Sequence, residues 1–558
     1  MLILSRITRY TVTKMFPPRL CLWIALLVLP VSARAQTLSE RVDALVEAKA
    51  AAEGKPLAAL SGDEEFLRRA WLDFAGTIPG PAELSEFVRD TGADKRSRLL
   101  ERLFQAPAFA ERMAEAFNVM LMERNGDSES WRAYLVEAFR SNKPWDVMAR
   151  EILSPDFKDE ALRGAGYFLT RRLEKVGQQD VDYPGLTRDA GRFFMGVDLQ
   201  CCQCHKHLTV GDYKQVDFNG LYVAFQNLKF QAVTPEKKVP SVVEGLVTKK
   251  YQFVSVLSSA KGETGPRVPF GAEIAIPALA ANEQWLEPPD PKKKTPGVPR
   301  FSPLKELAER LASPENPYFA RNLANRVWFI VMGRGLVEPL DLIHSENPAS
   351  HPEVLALLEA GLLEHKFDIR WLLGELVRTR TYQRSSLLAE HGADAPEALY
   401  TAARERPLSA EQLTRAFLAA TGESARVLEG KGWEGIEGPK HARKDFEKVF
   451  HAAFANPAKE AELTVNPTLK AALFLRNNEL VLWALQRRAG NLVDRLCALE
   501  DPVRVAETCY ESIFSRQPTD EEKEAVAAYL KRHGASRESA LGRFVWAMLS
   551  SIEFFTNH

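Results

Sequence analysis

The chain has 558 residues, of which 46% are hydrophobic, 26% charged and 9% aromatic. This composition is that of an ordinary folded protein, and it excludes the disordered, collagen-like and disulfide-scaffold classes. Beyond the first 35 residues the chain carries 68 basic and 74 acidic residues, and a mildly acidic surface argues against a nucleic-acid partner.

The N-terminal segment has the pattern of a secretory signal. It starts with basic residues and no acidic ones, continues with an apolar stretch over 20–31, and ends with Ala33-Arg34-Ala35 as an A-x-A cleavage site. The apolar stretch is too short to cross a bilayer, which takes about 20 helical residues. We therefore predict a signal peptide over 1–35, cleavage after Ala35, export to the periplasm, and no membrane span in the mature chain.

Most of the mature chain has the periodicity of amphipathic helices. Ser, Thr or Asn residues precede several apolar periodic runs, where their side chains can accept hydrogen bonds from the first free amides of a helix. The predicted helix starts are the capping boxes Ser61/Glu64, Ser350/Glu353, Ser409/Gln412 and Thr519/Glu522, and the pair Asn316-Pro317. Within the second of these boxes, His351 is expected in the first helical turn at the surface.

One stretch breaks the helical pattern. Residues 229–277 are rich in Val, Thr, Gly and Pro and predict strands over 251–257 and 273–276. The segment 287–296 is rich in proline and lysine and predicts an extended linker. The fold class is therefore mainly α, with a helical domain over 36–228, a β-rich insertion and linker over 229–300, and a second helical domain over 301–558.

The sharpest chemical signal is a cluster of cysteines and histidines at 201–207. Cys201-Cys202-Gln203-Cys204-His205 fits C-x-x-C-H, the pattern that attaches haem c. Two thiols one helical turn apart can each bond one vinyl-derived carbon on the same porphyrin edge, and the next histidine then faces the iron. The pattern predicts Cys201 and Cys204 as thioether anchors and His205 as the proximal ligand.

Two other chemistries fit the same cluster. Cys201, Cys202, Cys204, His205 and His207 supply enough ligands for zinc, although structural zinc sites usually draw ligand pairs from two separate segments. A disulfide between Cys201 and Cys204 is the second alternative.

The distal side of the haem has no obvious ligand in the sequence. His207 is too close along the chain to reach the opposite face, which leaves Met195, His344, His351 or an open position. An open position would permit catalysis, whereas a filled one favours electron transfer.

Longer stretches around the cluster resemble a known pair of domains. The motif region resembles the planctomycete-type exported cytochrome c-like domain, and the second half is similar to its usual C-terminal partner domain. The resembling stretches are 68–73, 142–145, 193–207 and 213–221 for the first domain, and 314–321, 325–328, 333–337, 350–353 and 381–386 for the second. Cys202, Lys206 and Leu208 stand where the family pattern has alanine, aspartate and proline.

The resemblance implies a haem c protein, although both domains are known mainly as domains of unknown function. We expect an exported c-type haem protein with an electron-transfer or haem-dependent redox role, working with an exported redox partner or a polysaccharide-processing partner. The alternative is a non-redox exported scaffold or binding protein, in which the cluster binds zinc or is structural.

Overall fold

The computed structural model describes residues 36–175, 177–233, 238–292, 295–388, 396–460, 469–533 and 536–558. The predicted signal segment lies outside these residues. The described residues are mainly helical, which confirms the predicted fold class. Among the described residues, no helix combines the length and the apolar character that crossing a membrane takes.

Helices and short strands follow one another in the order below. The helices up to residue 383 are α1 (Leu38–Ala52), α2 (Asp63–Phe74), α3 (Pro81–Arg89), α4 (Lys95–Gln105), α5 (Pro107–Met122), α6 (Glu129–Arg140), α7 (Trp145–Leu153), α8 (Tyr167–Leu173), α9 (Tyr183–Met195), α10 (Gln215–Phe225), α11 (Pro303–Leu311), α12 (Pro317–Met332), α13 (Pro352–Glu364), α14 (Ile369–Arg378) and α15 (Arg380–Gln383). The later ones are α16 (Ala410–Thr421), α17 (Ser424–Val427), α18 (Arg443–Phe454), α19 (Leu469–Asn477), α20 (Glu479–Ala484), α21 (Leu492–Cys497), α22 (Pro502–Ile513), α23 (Asp520–Arg532), α24 (Arg537–Leu549) and α25 (Ile552–Phe555).

The strands form four separate antiparallel pairs. They are β1 (Leu228–Gln231) with β2 (Ser241–Glu244), β3 (Tyr251–Val254) with β4 (Lys261–Thr264), β5 (Trp285–Glu287) with β6 (Val298–Pro299), and β7 (Arg406–Pro407) with β8 (Thr556–Asn557).

The predicted β insertion contains the first three strand pairs. β3 covers the first half of the predicted strand 251–257, and β4 pairs with it from Tyr251 opposite Thr264. The prediction of a strand over 273–276 is wrong, because only Glu273 forms a bridge there, to Arg267. The predicted linker 287–296 lies mostly in the loop between β5 and β6, where Asp290 bridges Thr295.

One hydrophobic core runs through α1–α15. An aromatic layer joins its two halves, since the Trp145 ring of α7 stacks on Phe194 of α9 and on Phe319 of α12 at centroid distances of 5.9 and 6.4 Å. A second core holds side chains of α16–α25 and receives Leu72 and Ile78 from the N-terminal region. The hydrophobic packing is thus continuous across residues 229–300, and the predicted domain boundaries stay a prediction.

Three of the five predicted helix starts are confirmed, and two are wrong. Ser409 and Thr519 form the predicted capping boxes, and the Asn316 side chain caps α12 with Pro317 in its first turn. The capping box at Ser61 is wrong, because Gly62 is the N-cap of α2 and the buried Ser61 hydroxyl has no partner among the described residues. The box at Ser350 is also wrong: His351 is the N-cap of α13 and is only 4% exposed.

Candidate functional site

The cysteine cluster begins on a 3₁₀ turn, Gln200–Gln203, four residues after α9; Cys201 and Cys202 lie in this turn, Cys204 is its C-cap, and His205 and His207 follow it. Helix α9 ends at Met195, and Gly196 follows as its C-cap. The φ of Gly196 is 67°, in the left-handed region that glycine adopts without strain. The next residues run beside 341–343: the Ile343 amide donates to the Gly196 carbonyl at 2.9 Å, and the Asp198 amide donates to the Asp341 carbonyl at 2.9 Å. The segment that leads into the cluster is therefore fixed by residues far away in the sequence.

The three neighbouring cysteines face different surroundings. Cys201 and Cys204 are exposed free thiols, whereas Cys202 is fully buried in the main core. Burial raises the pKa of the Cys202 thiol to about 12, because the core disfavours the thiolate. Cys201 and Cys204 are thus the accessible pair, and Cys202 serves as a packing residue.

The His205 imidazole has one nitrogen committed and one available. Its Nδ1 lies 2.6 Å from the carbonyl oxygen of Lys206. A carbonyl oxygen only accepts, so Nδ1 carries the proton and the Nε2 lone pair is available for a metal. A backbone carbonyl that fixes the tautomer in this way is the usual second partner of a metal-ligating histidine.

His207 stabilises the loop that follows the cluster. Its Nδ1 accepts from the Val210 amide at 2.9 Å and lies 3.3 Å from the Thr209 amide. Its own amide donates to the Tyr213 carbonyl at 3.1 Å. These bonds commit Nδ1 to the backbone and give His207 a structural role.

The three candidate distal ligands lie in different places. Met195 is completely buried at the end of α9, and His351 packs against Tyr400 at a centroid distance of 5.5 Å. The Tyr213 ring contacts both His344 and His207, with distances between ring centroids of 5.4 and 5.8 Å. His344 thus shares a neighbour with the cluster. Burial and the nearby His207 lower the pKa of His344 and favour its neutral form.

An exposed apolar patch adjoins the cluster. Its members are Leu208, Val256 and Leu257, which are between 63% and 73% exposed. The Val256 amide donates to the Cys204 carbonyl at 3.0 Å, which places the loop between β3 and β4 directly against the C-x-x-C-H turn. Exposed apolar side chains thus flank the cluster on two segments, and such side chains are typical of a surface that another group covers.

The zinc alternative has five candidate ligands for a site that takes four. Within the described ranges, no group of three or more His, Cys, Asp or Glu side chains is arranged to hold a metal ion. The burial of Cys202 leaves Cys201, Cys204, His205 and His207 as the accessible candidates. The other two cysteines of the described residues, Cys497 and Cys509, are also free thiols.

A charged network beneath the site was missed by sequence reasoning. Arg192, on the last turn of α9, donates to Asp341 at 2.9 Å and to Glu123 at 2.6 Å. Arg326 of α12 also binds Asp341 and donates to the Arg192 carbonyl at 2.8 Å. No local pattern marks these partners, because they are between 15 and 149 residues apart along the chain.

Comparisons with known proteins identify the two halves of the chain. Residues 41–230 match the family PSCyt2, described as a protein of unknown function (DUF1549), and residues 304–530 match PSD1, described as a protein of unknown function (DUF1553). The chain therefore carries the planctomycete-type pair of these domains, in that order. No curated protein and no solved structure matches the chain.

Proposed function

We propose that the chain is an exported c-type haem protein, with Cys201 and Cys204 as thioether anchors and His205 as the proximal ligand. The observation that carries the proposal is the division of the three thiols: the two at C-x-x-C spacing are exposed, and the extra one is buried. In each attachment the thiol S–H adds across one vinyl double bond, with sulfur going to one carbon and hydrogen to its neighbour. The reaction needs no external oxidant.

The surroundings of the turn support the same proposal. The Lys206 carbonyl holds the proton on Nδ1 of His205, so Nε2 is ready to ligate iron. Leu208, Val256 and Leu257 form an apolar rim that a porphyrin face would cover. Bound haem supplies a one-electron iron centre, and its position at the protein surface suits electron exchange with an exported partner.

The test is the covalent state of the three cysteines. We expect the intact mass of the protein from its native host to show cleavage after Ala35 and the addition of one haem. The Soret band should survive denaturation, because thioethers do not dissociate.

Single cysteine variants separate anchors from packing residues. Cys201→Ser and Cys204→Ser should each lose one thioether and much of the bound haem. Cys202→Ala is the matched control and should keep full haem content, because the Cys202 thiol is enclosed in the core and alanine stands there in the family pattern. Unmodified thiols in the native protein, or equal haem in all three variants, would refute the proposal and leave the scaffold alternative.

A further inference from the structure

A cavity lies between α5, α12 and residues 404–412. Its volume is about 410 Å³. One side of its lining is apolar, with Val119 and Met120 from α5, Phe329 and Ile330 from α12, and Leu340. A cavity of this size with apolar walls and a few polar groups is the usual form of a small-molecule site.

Arg112 is the unusual polar group of this cavity. Its Nε is shielded from solvent and has no hydrogen-bond partner, and within the described part of the chain its guanidinium forms no ion pair. Burial lowers the pKa of Arg112. The residue is half-buried at the cavity wall and has no ion-pair partner among the described residues, so its guanidinium can bind an anion that enters the cavity.

The nearest carboxylates are already committed to other arginines. Glu115 binds Arg415, with Nη2 and Oε2 2.6 Å apart, and Glu411 binds Arg124 with its second oxygen 3.0 Å from Nη2. Arg415 itself lies close to Arg112, and its charge further lowers the pKa of Arg112. Glu115, Asp73 and Glu411 still attract Arg112 through space, but none of the described carboxylates forms an ion pair with it.

The other carboxylates that line the cavity, except one at the surface, also accept hydrogen bonds from arginine or asparagine side chains. Asp73 accepts from Arg406 at 2.8 Å and from the Asn557 amide at 2.8 Å, while Glu123 is bound by Arg192 and Asp341 by Arg192 and Arg326. That leaves Glu405, which is exposed. An anion beside Arg112 would thus meet few free carboxylates.

The backbone is shaped to bring Arg112 to this position. Gly76 has a φ of +69°, and a Cβ there would lie 3.0 Å from Cδ of Arg112 and 2.4 Å from Nη2 of Arg415. The loop after α2 can pass over both arginines only because residue 76 has no side chain.

We propose that this cavity binds a small organic acid, whose carboxylate pairs with Arg112 and whose apolar body packs against Met120, Phe329 and Leu340. The proposal does not rest on the proposed haem function, although Glu123, Arg326 and Asp341 line this cavity and also belong to the charged network described above. A guanidinium matches the planar geometry of a carboxylate and can bind both of its oxygens.

The test uses the purified, naturally processed full chain and three probes: hexanoate, its neutral isostere hexanamide, and inorganic phosphate. Calorimetric titration and thermal melting should show that hexanoate binds and raises Tm, whereas hexanamide and phosphate bind at least tenfold more weakly. Hexanamide lacks the charge, and phosphate lacks the apolar body. Equal binding of hexanamide or phosphate would overturn the proposal, as would no binding of hexanoate.

Arg112→Gln tests whether Arg112 binds the ligand or only stabilises the fold. It should weaken hexanoate binding at least tenfold and should leave the Tm of the unliganded protein close to that of the natural protein, because Arg112 forms no ion pair among the described residues. Arg132→Gln, at an exposed arginine of α6, is the matched control and should bind hexanoate normally. Unchanged hexanoate affinity in Arg112→Gln, or a lowered Tm without ligand, would contradict the assignment.

Discussion

Gly196 is the point at which the chain leaves α9 and enters the C-x-x-C-H segment, and Gly196→Ala should destabilise the protein markedly. An L-residue at a φ of +67° costs about 1–2 kcal/mol through its backbone alone. The new Cβ would also lie 2.5 Å from Cδ1 of Ile343 and 2.9 Å from Oδ1 of Asn322. Ile343 is buried, and Asn322 is held by hydrogen bonds to Arg326 and to the Phe193 carbonyl, so neither can move freely.

Forcing a methyl group into such a packed position adds about 1–3 kcal/mol. We therefore expect Gly196→Ala to lower the free energy of unfolding by about 2–5 kcal/mol. Gly54→Ala is the matched control, because Gly54 has a similar φ of +63° and nothing lies within 4 Å of its Cβ position. Only the backbone cost of about 1–2 kcal/mol applies there.

The measurement is equilibrium urea denaturation of both variants and the natural protein, followed by circular dichroism. The difference between the two variants isolates the contacts with Ile343 and Asn322. If Gly196→Ala loses no more stability than Gly54→Ala, those contacts do not constrain the entry to the cysteine cluster, and the reasoning is refuted.

Two further predictions concern charge. Burial and the nearby Lys49 lower the pKa of His351 to about 4, so between pH 6.5 and 4 the unfolded chain binds more protons than the folded one. The free energy of unfolding should therefore fall by up to about 3 kcal/mol as the pH falls through this range. His351→Asn should remove this part of the pH dependence of urea unfolding, and an unchanged dependence would contradict the prediction. Asp341→Asn weakens the bonds to Arg192 and Arg326 and should lower the free energy of unfolding by about 1–3 kcal/mol, whereas Asp94→Asn, at an exposed ion pair, should change it little; similar losses in both would argue against a supporting role for Asp341.

Helix starts could be predicted where the capping chemistry is complete within a few residues. Ser409 and Thr519 form capping boxes with side chains three residues further on, whereas Ser61 and Ser350 have the same spacing and do not cap their helices. His351 shows the limit of the method. His351 packs against Tyr400 and lies near Lys49, and both residues come from distant parts of the chain. The local sequence therefore does not predict its burial.

The same distinction applies to the candidate site. The spacing of Cys201, Cys204 and His205 is a local property, and the sequence alone selected them. The different environment of Cys202 could not be predicted, because adjacent residues on a tight turn point in different directions, and the surrounding core decides which direction is buried. The Arg112 cavity could not be predicted from the sequence either, since its walls come from six segments that are far apart along the chain.

The contacts between the two matched regions suggest why the site needs both. The segment 196–198 belongs to the first region, and its backbone is hydrogen-bonded by 341–343 of the second. The Tyr213 hydroxyl adds a bond to the Ile343 carbonyl at 3.1 Å. A 3₁₀ turn is too short to hold its own conformation, so its geometry has to come from flanking segments that are themselves fixed. The second region thus supplies part of the support for the segment that carries the two exposed thiols.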